Sequence, residues 1–304
     1  MKVLFVFLDG VGIGVPDGRR NPFFAGRLPT LERSLGAVPS LERATCTGPS
    51  GTSFPLDATL GVEGLPQSGT GQYALLTGDN GAARIGRHQG PWTPTALRPL
   101  LLEANLFSKA VEGGHSVAFA NAHPPGYRES RWYKRPAPFP LAADGSGLMT
   151  RGTQHLLDGS GLASDMDNRR IQTVVEETLP LIDVAEAGSN LARVAEGHAL
   201  TVFAHYGTDV AGHRGGADAA REALRRVDGF LGGILAHRSP SLGVLVVSDH
   251  GNIESVDAGH TRNPALGLWF GPSASGGATP PAPLPSSLLD VAGWTLNRLS
   301  EPWP

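Results

Sequence analysis

Four short, unbroken apolar runs constrain the fold of this chain more than any other feature. They cover residues 3–8, 117–120, 200–204 and 242–247, and they are rich in Val, Leu and Phe. A strand with one face in water alternates apolar and polar residues, whereas a strand covered on both faces does not need to alternate. The runs therefore predict buried strands with other elements packed on both of their faces.

Helix-like segments lie between and after these runs. Apolar residues recur at helical spacing in residues 95–111, 171–187 and 217–236, and a last helix is predicted from about 287 to 299. Strands that alternate with helices indicate βαβ units and a mainly parallel sheet. We therefore predict an α/β fold with a mainly parallel sheet sandwiched by helices.

One stretch, residues 123 to about 170, breaks this alternation, and we call it the cap segment. It is rich in Pro, Gly and charged residues and contains no convincing apolar strand. We expect it to form a small inserted cap over the edge of the sheet. The aromatic residues Trp132, Tyr133 and Phe139 are expected to supply a small core of its own.

The predicted domain organisation follows from the position of the cap segment. The core is expected to be built from residues 1–90 and 195–304. Residues 91–194 are expected to belong only partly to the core, because they carry a helix and a strand up to about residue 122 and then the cap. The core would therefore be discontinuous in sequence.

Composition excludes several classes of partner. The chain has 25 Lys+Arg against 28 Asp+Glu, so its net charge of −3 gives no reason to expect nucleic acid or an anionic membrane as partner. No apolar run approaches the ~18 residues of a membrane span, and the first run is too short for a signal peptide. The single cysteine, Cys46, excludes an intrachain disulfide and a Cys-cluster metal site. We expect a soluble, cytoplasmic protein, and its oligomeric state stays open.

Carboxylate and imidazole side chains follow three of the four predicted strands. They are Asp9 after the first run, Asp209 and His213 after the third, Asp249 and His250 after the fourth, and His260 further along. Ligands bind beyond the carboxyl ends of the strands in open parallel sheets, so these side chains are expected to converge. Oxygen and imidazole ligands without thiolate suit Zn²⁺ or Mn²⁺, with Mg²⁺ less favoured. The pattern predicts a metal site.

A hydroxyl candidate lies upstream, in residues 64–78. This stretch reads as a tight loop entering a helix with Ser68 near its N-terminus, where backbone N–H groups favour a phosphoryl oxygen. Ser68 is either a nucleophile activated by a divalent metal or only the residue that caps the helix. Thr70 is the competing hydroxyl, and the loop alone does not decide between these interpretations.

A glycine run after the first strand resembles a dinucleotide-binding fingerprint, with glycines at Gly10, Gly12 and Gly14. The last glycine of that fingerprint would fall at Val15, and Pro16 with the residues after it does not open the required helix. A nicotinamide cofactor is therefore not predicted.

Taken in order, these motifs resemble the alkaline phosphatase superfamily, in the branch with cofactor-independent phosphoglycerate mutase and phosphopentomutase. The resemblance covers about residues 1–90 and 195–300 and rests on Asp9, Ser68, Asp209-x-x-x-His213, Asp249-His250-Gly-Asn and His260-Thr-Arg-Asn-Pro. It implies an alkaline phosphatase-like core with two divalent metal ions. One ion would be held by Asp209, His213 and His260, and the other by Asp9, Ser68, Asp249 and His250. This chain departs from the family's nucleophile motif at Gln67 and Gln72.

The resemblance also implies an activity. It is metal-dependent phosphoryl transfer on a small phosphorylated metabolite through a phosphoserine at Ser68, by a phosphomutase or a phosphomonoesterase. The alternatives are a phosphodiesterase, a phosphonate or sulfate ester hydrolase, and a non-catalytic metal-binding homologue. Caps in this family hold the substrate's phosphate. The basic residues that are candidates for that role, with a plain solvated surface as the alternative, are Arg131, Lys134, Arg135, Arg169 and Arg170.

Overall fold

The computed structural model describes residues 1–175, 178–256, 259–271 and 283–301, and for Arg131 and Trp132 it describes only the backbone. These residues form one six-stranded sheet flanked by helices. The predicted α/β class, with helices on both faces of the sheet, is confirmed.

The sheet has the strand order β2-β6-β5-β1-β4-β3. The strands are β1 (Lys2–Leu8), β2 (Thr52–Leu56), β3 (Val117–Phe119), β4 (Leu200–His205), β5 (Leu242–Ser248) and β6 (Ala265–Phe270). β1 is parallel to β4 and β5, and β3 is parallel to β4. β6 is antiparallel to both β5 and β2. All four predicted strands are present, and they form the parallel part of the sheet.

The sequence analysis missed β2 and β6, which form the antiparallel edge. β2 is short and carries Pro55, a residue that normally argues against a strand but is tolerated at an edge. β6 contains Gly267, where an added Cβ would lie only 2.2 Å from the ring of Phe54. The glycine therefore marks a close approach between neighbouring strands rather than the end of one.

Twelve helices are described. They are α1 (Pro29–Leu35), α2 (Ser68–Thr77), α3 (Gly81–Ile85), α4 (Arg98–Glu103), α5 (Leu106–Glu112), α6 (Arg131–Lys134), α7 (Pro138–Gly145), α8 (Thr153–Leu157), α9 (Val184–Glu196), α10 (Gly207–Arg214), α11 (Gly216–His237) and α12 (Leu288–Ser300). α11 and α12 confirm the helices predicted over 217–236 and 287–299. Within the described residues, none of the helices combines the length and apolar character needed to cross a bilayer.

Two predicted helices were wrong in their extent. The segment predicted over 95–111 is divided between α4 and α5, because the Asn105 side chain accepts hydrogen bonds from two backbone N–H groups and starts a new helix. The segment predicted over 171–187 has only a 3₁₀ turn at Ile171–Thr173. The next helix, α9, begins at Val184 after Pro180 and the N-cap residue Asp183.

The strand β1 shows how the two layers of the core are built. Its odd-numbered residues, such as Phe5 and Phe7, join one apolar cluster with residues of α2, α5, α7 and α12. Its even-numbered residues, such as Leu4 and Val6, join a second cluster with residues of α1, α9 and α11. All four side chains are fully buried, and each such burial stabilises the fold by about 1.5–3 kcal/mol. β1 is thus held from both sides.

The expected core of the cap segment was wrong in one important respect. Phe139, on α7, is fully buried against the main sheet, and its ring stacks on that of Phe7 with centroids 4.5 Å apart. Tyr133 instead donates its hydroxyl hydrogen bond to Asp144, and the Trp132 side chain lies outside the described residues. A separate small cluster does exist, but it is aliphatic and includes Leu156. Part of the cap segment is therefore built into the core.

Candidate metal centre

Strand register brings the predicted ligands to one edge of the sheet. Leu8, the last residue of β1, is paired with His205 on β4 and with Ser248 on β5. The chain therefore leaves all three strands at the same level. Asp9 and Asp249 follow directly, on neighbouring strands at the centre of the sheet.

The first predicted ligand group lies on α10 and on the loop before β6. Asp209 and His213 are one helical turn apart, and Asp209 Oδ1 is 3.4 Å from His213 Nε2. His260 Nε2 lies 3.6 Å from the same Asp209 oxygen and 2.9 Å from His213 Nε2. The His213 side chain is 40% exposed and that of His260 is 10% exposed, so His213 lies on the outer side of the group.

The second group is buried more deeply. Ser68 Oγ lies 2.9 Å from His250 Nε2. The same nitrogen is 3.4 Å from Asp9 Oδ1 and 3.8 Å from Asp249 Oδ2. Ser68 is the first residue of α2 and not its N-cap, which is Gln67. The hydroxyl of Ser68 therefore faces the carboxylate and imidazole groups instead of capping the helix.

The two groups form one continuous set, which we call the metal cluster: Asp9, Ser68, Asp209, His213, Asp249, His250 and His260. The rings of His250 and His260 stack with centroids 4.0 Å apart. Potential ligand atoms of Asp209, His250 and His260 all lie within 4.8 Å of one another, and so do those of Asp9, Asp249 and His250. The structure thus brings all seven predicted side chains together.

The donor set fits divalent metal ions. It consists of carboxylate, hydroxyl and imidazole groups, which suit Zn²⁺ or Mn²⁺. Asp9 Oδ1 is buried and has no hydrogen-bond partner among the described residues. A buried carboxylate oxygen without a partner costs free energy, and a bound cation would supply the missing partner.

The charges of the metal cluster shift its pKa values. Burial, followed by the charge of Asp249, raises the pKa of Asp9, and burial raises the pKa of Asp249. Although burial alone would lower it, the nearby carboxylates of Asp249 and Asp9 raise the pKa of His250 to about 10. Without metal, the cluster therefore favours a proton on His250 as its compensating positive charge. Metal binding would displace that proton.

Hydrogen bonds from outside the cluster orient its members. Gln72 Nε2 donates to Asp249 Oδ2 at 3.2 Å, and Asn252 Nδ2 donates to Asp209 Oδ1 at 2.7 Å. His260 Nδ1 lies 2.8 Å from the carbonyl oxygen of Pro66. A carbonyl only accepts, so Nδ1 carries the proton and Nε2 keeps its lone pair for a ligand. Gln72 occupies one of the two positions at which the chain departs from the family motif.

The glycine run after β1 has a structural explanation. Gly10 has φ 67°, and a Cβ there would lie 2.5 Å from Asp209 Oδ1. At Gly12 a Cβ would lie 2.4 Å from a carboxylate oxygen of Glu254. These glycines therefore allow backbone to approach buried carboxylates. Sequence reasoning missed Glu254, whose contact with Gly12 spans 242 residues of sequence.

Tyr206 is a second residue that sequence reasoning missed. It directly follows β4, and its ring packs edge-on against Phe7 with centroids 5.9 Å apart. Its hydroxyl is buried without a hydrogen-bond partner among the described residues. Burial, followed by the charge of Asp9, raises the pKa of Tyr206 well above its usual range. Tyr206 is thus a neutral donor close to the cluster.

The basic residues predicted to bind phosphate are not linked to the metal cluster by any hydrogen bond or ion pair among the described residues. Lys134 and Arg135 are exposed at and after the end of α6, and Arg170 is also exposed. Arg169 pairs with Asp167 at 3.5 Å. The side chain of Arg131 lies outside the described residues. Within the part that is described, no hydrogen bond or ion pair joins these residues to the cluster, so their role stays a prediction.

Comparisons with known proteins support the fold and, for part of the chain, a metalloenzyme. A family model for the metalloenzyme superfamily matches residues 156–300. A 2,3-bisphosphoglycerate-independent phosphoglycerate mutase from Dinoroseobacter shibae is 32% identical over 125 residues, which cover 38% of this chain and 24% of that protein. The match thus spans about a quarter of the length of this relative.

Solved structures resemble the whole chain in fold. The PH0037 protein from Pyrococcus horikoshii has a TM-score of 0.57 at 12% identity and covers 100% of this chain and 98% of its own. A cold-active alkaline phosphatase from Shewanella sp. has a TM-score of 0.52 at 12% identity, covering 99% and 100%. The alkaline phosphatase from the Antarctic bacterium TAB5 has a TM-score of 0.50 at 11% identity, covering 98% of each chain. Residues 156–300 therefore match the metalloenzyme superfamily, and the chain as a whole has an alkaline phosphatase-like fold.

Proposed function

We propose that this protein catalyses metal-dependent phosphoryl transfer on a small phosphorylated metabolite, with Ser68 as the nucleophile. The observation that carries the proposal is the position of the Ser68 hydroxyl, 2.9 Å from His250 Nε2 within the metal cluster. The hydroxyl also lies at the first residue of α2, where the helix dipole favours a phosphoryl group. Nucleophile and phosphate-binding features thus coincide at one residue.

The residues that would hold the cations are those of the metal cluster. Asp209, His213 and His260 would hold one ion, and Asp9, Ser68, Asp249 and His250 the other. Two divalent ions, Mn²⁺ or Zn²⁺, would lower the pKa of the Ser68 hydroxyl and offset the charge of the phosphoryl oxygens.

The chain's own groups then account for the reaction. Ser68 Oγ forms a bond to phosphorus while the ester P–O bond breaks, and the hydroxyl proton ends on the departing alcohol. Hydrolysis of the resulting phosphoserine would make the protein a phosphomonoesterase. Return of the phosphoryl group to another oxygen of the retained product would make it a phosphomutase. Tyr206, whose buried hydroxyl has no hydrogen-bond partner among the described residues, is the candidate hydrogen-bond donor to the bound ester.

The competing hydroxyl, Thr70, is already committed within the loop. Its Oγ1 donates to the carbonyl of Gln67 at 3.2 Å and accepts from the N–H of Gln89, also at 3.2 Å. These contacts support Ser68 rather than Thr70 as the nucleophile.

The first experiment measures release of p-nitrophenol from p-nitrophenyl phosphate with Mn²⁺ or Zn²⁺, and after treatment with EDTA. We expect metal-dependent turnover that falls by at least about 10³-fold in Ser68→Ala. Thr70→Val serves as the comparison and is expected to retain most of the activity. Full activity in Ser68→Ala, or its loss only in Thr70→Val, would exclude Ser68 as nucleophile. A protein that binds metal but turns over no ester would support the non-catalytic alternative.

A second experiment separates the two classes of phosphoryl transfer. Ribose 1-phosphate and 3-phosphoglycerate are incubated with the metal-loaded protein and followed by phosphorus NMR. A new phosphate ester would indicate a phosphomutase, whereas accumulation of inorganic phosphate alone would indicate a phosphomonoesterase. Parallel assays with a phosphodiester, a phosphonate and a sulfate ester test the remaining alternatives.

A further inference from the structure

Glu254 is a buried carboxylate next to the metal cluster that the proposed chemistry does not use. It is 1% exposed and accepts four hydrogen bonds. Oε2 accepts from the backbone N–H groups of Gly12 at 2.9 Å and Asn252 at 2.8 Å. Oε1 accepts from Thr261 Oγ1 at 2.6 Å and Asn263 Nδ2 at 3.0 Å. All four donors are neutral, and no Lys, Arg or His in the described ranges forms an ion pair with it.

These four bonds join the loops that carry the ligands. Gly12 belongs to the loop that begins with Asp9. Asn252 follows the Asp249-His250 pair, and Thr261 follows His260 directly. A further ligand segment, α10, is reached through the Asn252 side chain, which donates to Asp209 Oδ1 at 2.7 Å. One carboxylate therefore links, directly or through one residue, four segments that contribute ligands.

The surrounding backbone leaves room for this carboxylate only because glycines face it. An added Cβ at Gly12 or at Gly251 would lie 2.4 Å from Glu254 Oε1. Real Cβ atoms are not found at such a distance, so any other residue at either position would displace the carboxylate or the loop. The glycines are a second observation, independent of the hydrogen bonds, that the chain is shaped around this group.

We infer that Glu254 is a positioning residue for the metal centre, and this inference rests on the proposed function. Glu254 holds the ligand loops in their relative positions and adds negative charge behind them. A buried charge without a cationic partner is costly, and four hydrogen bonds offset only part of that cost. Divalent cations bound nearby would supply the rest of the compensation. Groups that orient metal ligands typically change metal affinity by 10–100-fold when they are replaced.

The test compares Glu254→Gln with a matched control, Asp228→Asn. Asp228 is also a buried carboxylate, 3% exposed, and accepts from the backbone N–H groups of Thr30 and Leu31 at 3.0 and 2.9 Å, but it is no part of the ligand loops. The Kd for Mn²⁺ is measured by equilibrium dialysis, and thermal unfolding is followed in the metal-free proteins. We expect the Kd to rise by about 10–100-fold in Glu254→Gln and to stay unchanged in Asp228→Asn, although both variants lose stability.

Activity at high metal concentration adds a readout that loss of stability alone would not move. We expect excess Mn²⁺ to restore most of the turnover of Glu254→Gln. A wild-type Kd in this variant would overturn the inference. If Glu254→Gln does not fold, Thr261→Val removes one donor and keeps the carboxylate; a several-fold weaker Kd supports the inference and an unchanged Kd overturns it.

The same measurements separate this inference from the proposed function. A wild-type protein that binds Mn²⁺ but turns over no phosphate ester would refute the proposed function and leave the role of Glu254 intact. Wild-type turnover combined with an unchanged Kd in Glu254→Gln would refute only the role of Glu254.

Discussion

The metal cluster and the cap segment are built in opposite ways. In the cluster, Asp249 and His250 are fully buried, and their neighbours hold them from several sides. In the cap segment, the basic residues Lys134 and Arg135 are exposed. The part of the cap segment that is firmly held is apolar, since Phe139 packs on the main sheet. Chemistry is thus expected from the buried groups at the edge of the sheet, and substrate selectivity from the exposed surface of the cap segment.

The largest effect that would test this contrast is expected from Asp9→Asn. The substitution removes a ligand, so we expect metal affinity to fall by at least about 100-fold and turnover to fall with it. The metal-free variant should be at least as stable as the wild type, because one of the crowded buried carboxylates is gone.

Thermal unfolding with and without Mn²⁺ checks the Asp9 prediction. Metal at 100 times its Kd stabilises a protein by ~2.7 kcal/mol, and the wild type should show this increase while Asp9→Asn should not. Asp57→Asn, at an exposed position directly after β2, is the control and should respond to metal like the wild type. Global unfolding of Asp9→Asn would mean that this carboxylate is structural.

A large but different effect is expected from Phe139→Ala. Truncating a fully buried phenylalanine costs about 3–5 kcal/mol, so the free energy of unfolding should fall by that amount while the Kd for Mn²⁺ stays the same. Urea denaturation gives the first quantity and equilibrium dialysis the second. An unchanged unfolding midpoint would mean that the cap segment folds on its own core, and a weakened Kd would mean that the two regions are coupled.

The smallest effect is expected from Lys134→Ala combined with Arg135→Ala. Exposed residues without close partners usually change stability by no more than about 0.5 kcal/mol. If these cations contact the substrate's phosphate or its second charged group, KM for phosphorylated metabolites should rise several-fold, with kcat for p-nitrophenyl phosphate unchanged. Steady-state kinetics on both substrates measure this, and equal KM values in variant and wild type would assign the pair to plain solvated surface.

The convergence of the candidate ligands could be predicted because most of them lie beside a pattern that is local in sequence. Asp9 and Asp249 directly follow unbroken apolar strands, and the spacing of Asp209 and His213 is that of one helical turn. The convergence of these residues then follows from parallel pairing alone. The domain division around residues 123–170 stays a prediction, although the packing of Phe139 shows that α7 lies against the sheet.

The features that were missed depend on contacts that only the folded chain makes. The strands β2 and β6 were missed because of Pro55 and Gly267. Pro55 is tolerated because β2 is an edge strand, and Gly267 makes room for the ring of Phe54 on the neighbouring strand. Asn105 divided a predicted helix by capping its second half. Glu254 and Tyr206 match no sequence pattern. They stand out only through the hydrogen bonds that Glu254 accepts and through the burial of the Tyr206 hydroxyl.

The strands β1, β4 and β5 end side by side at one edge of the sheet, which limits how much their lengths can vary. One residue added inside any of these strands would exchange its two faces and move the following ligand by about 3.3 Å. The same residue added to a surface loop, such as the turn after α11, would leave every ligand in place. Related proteins are therefore expected to differ by insertions in their loops, while the number of residues from the start of β1 to Asp9 stays constant.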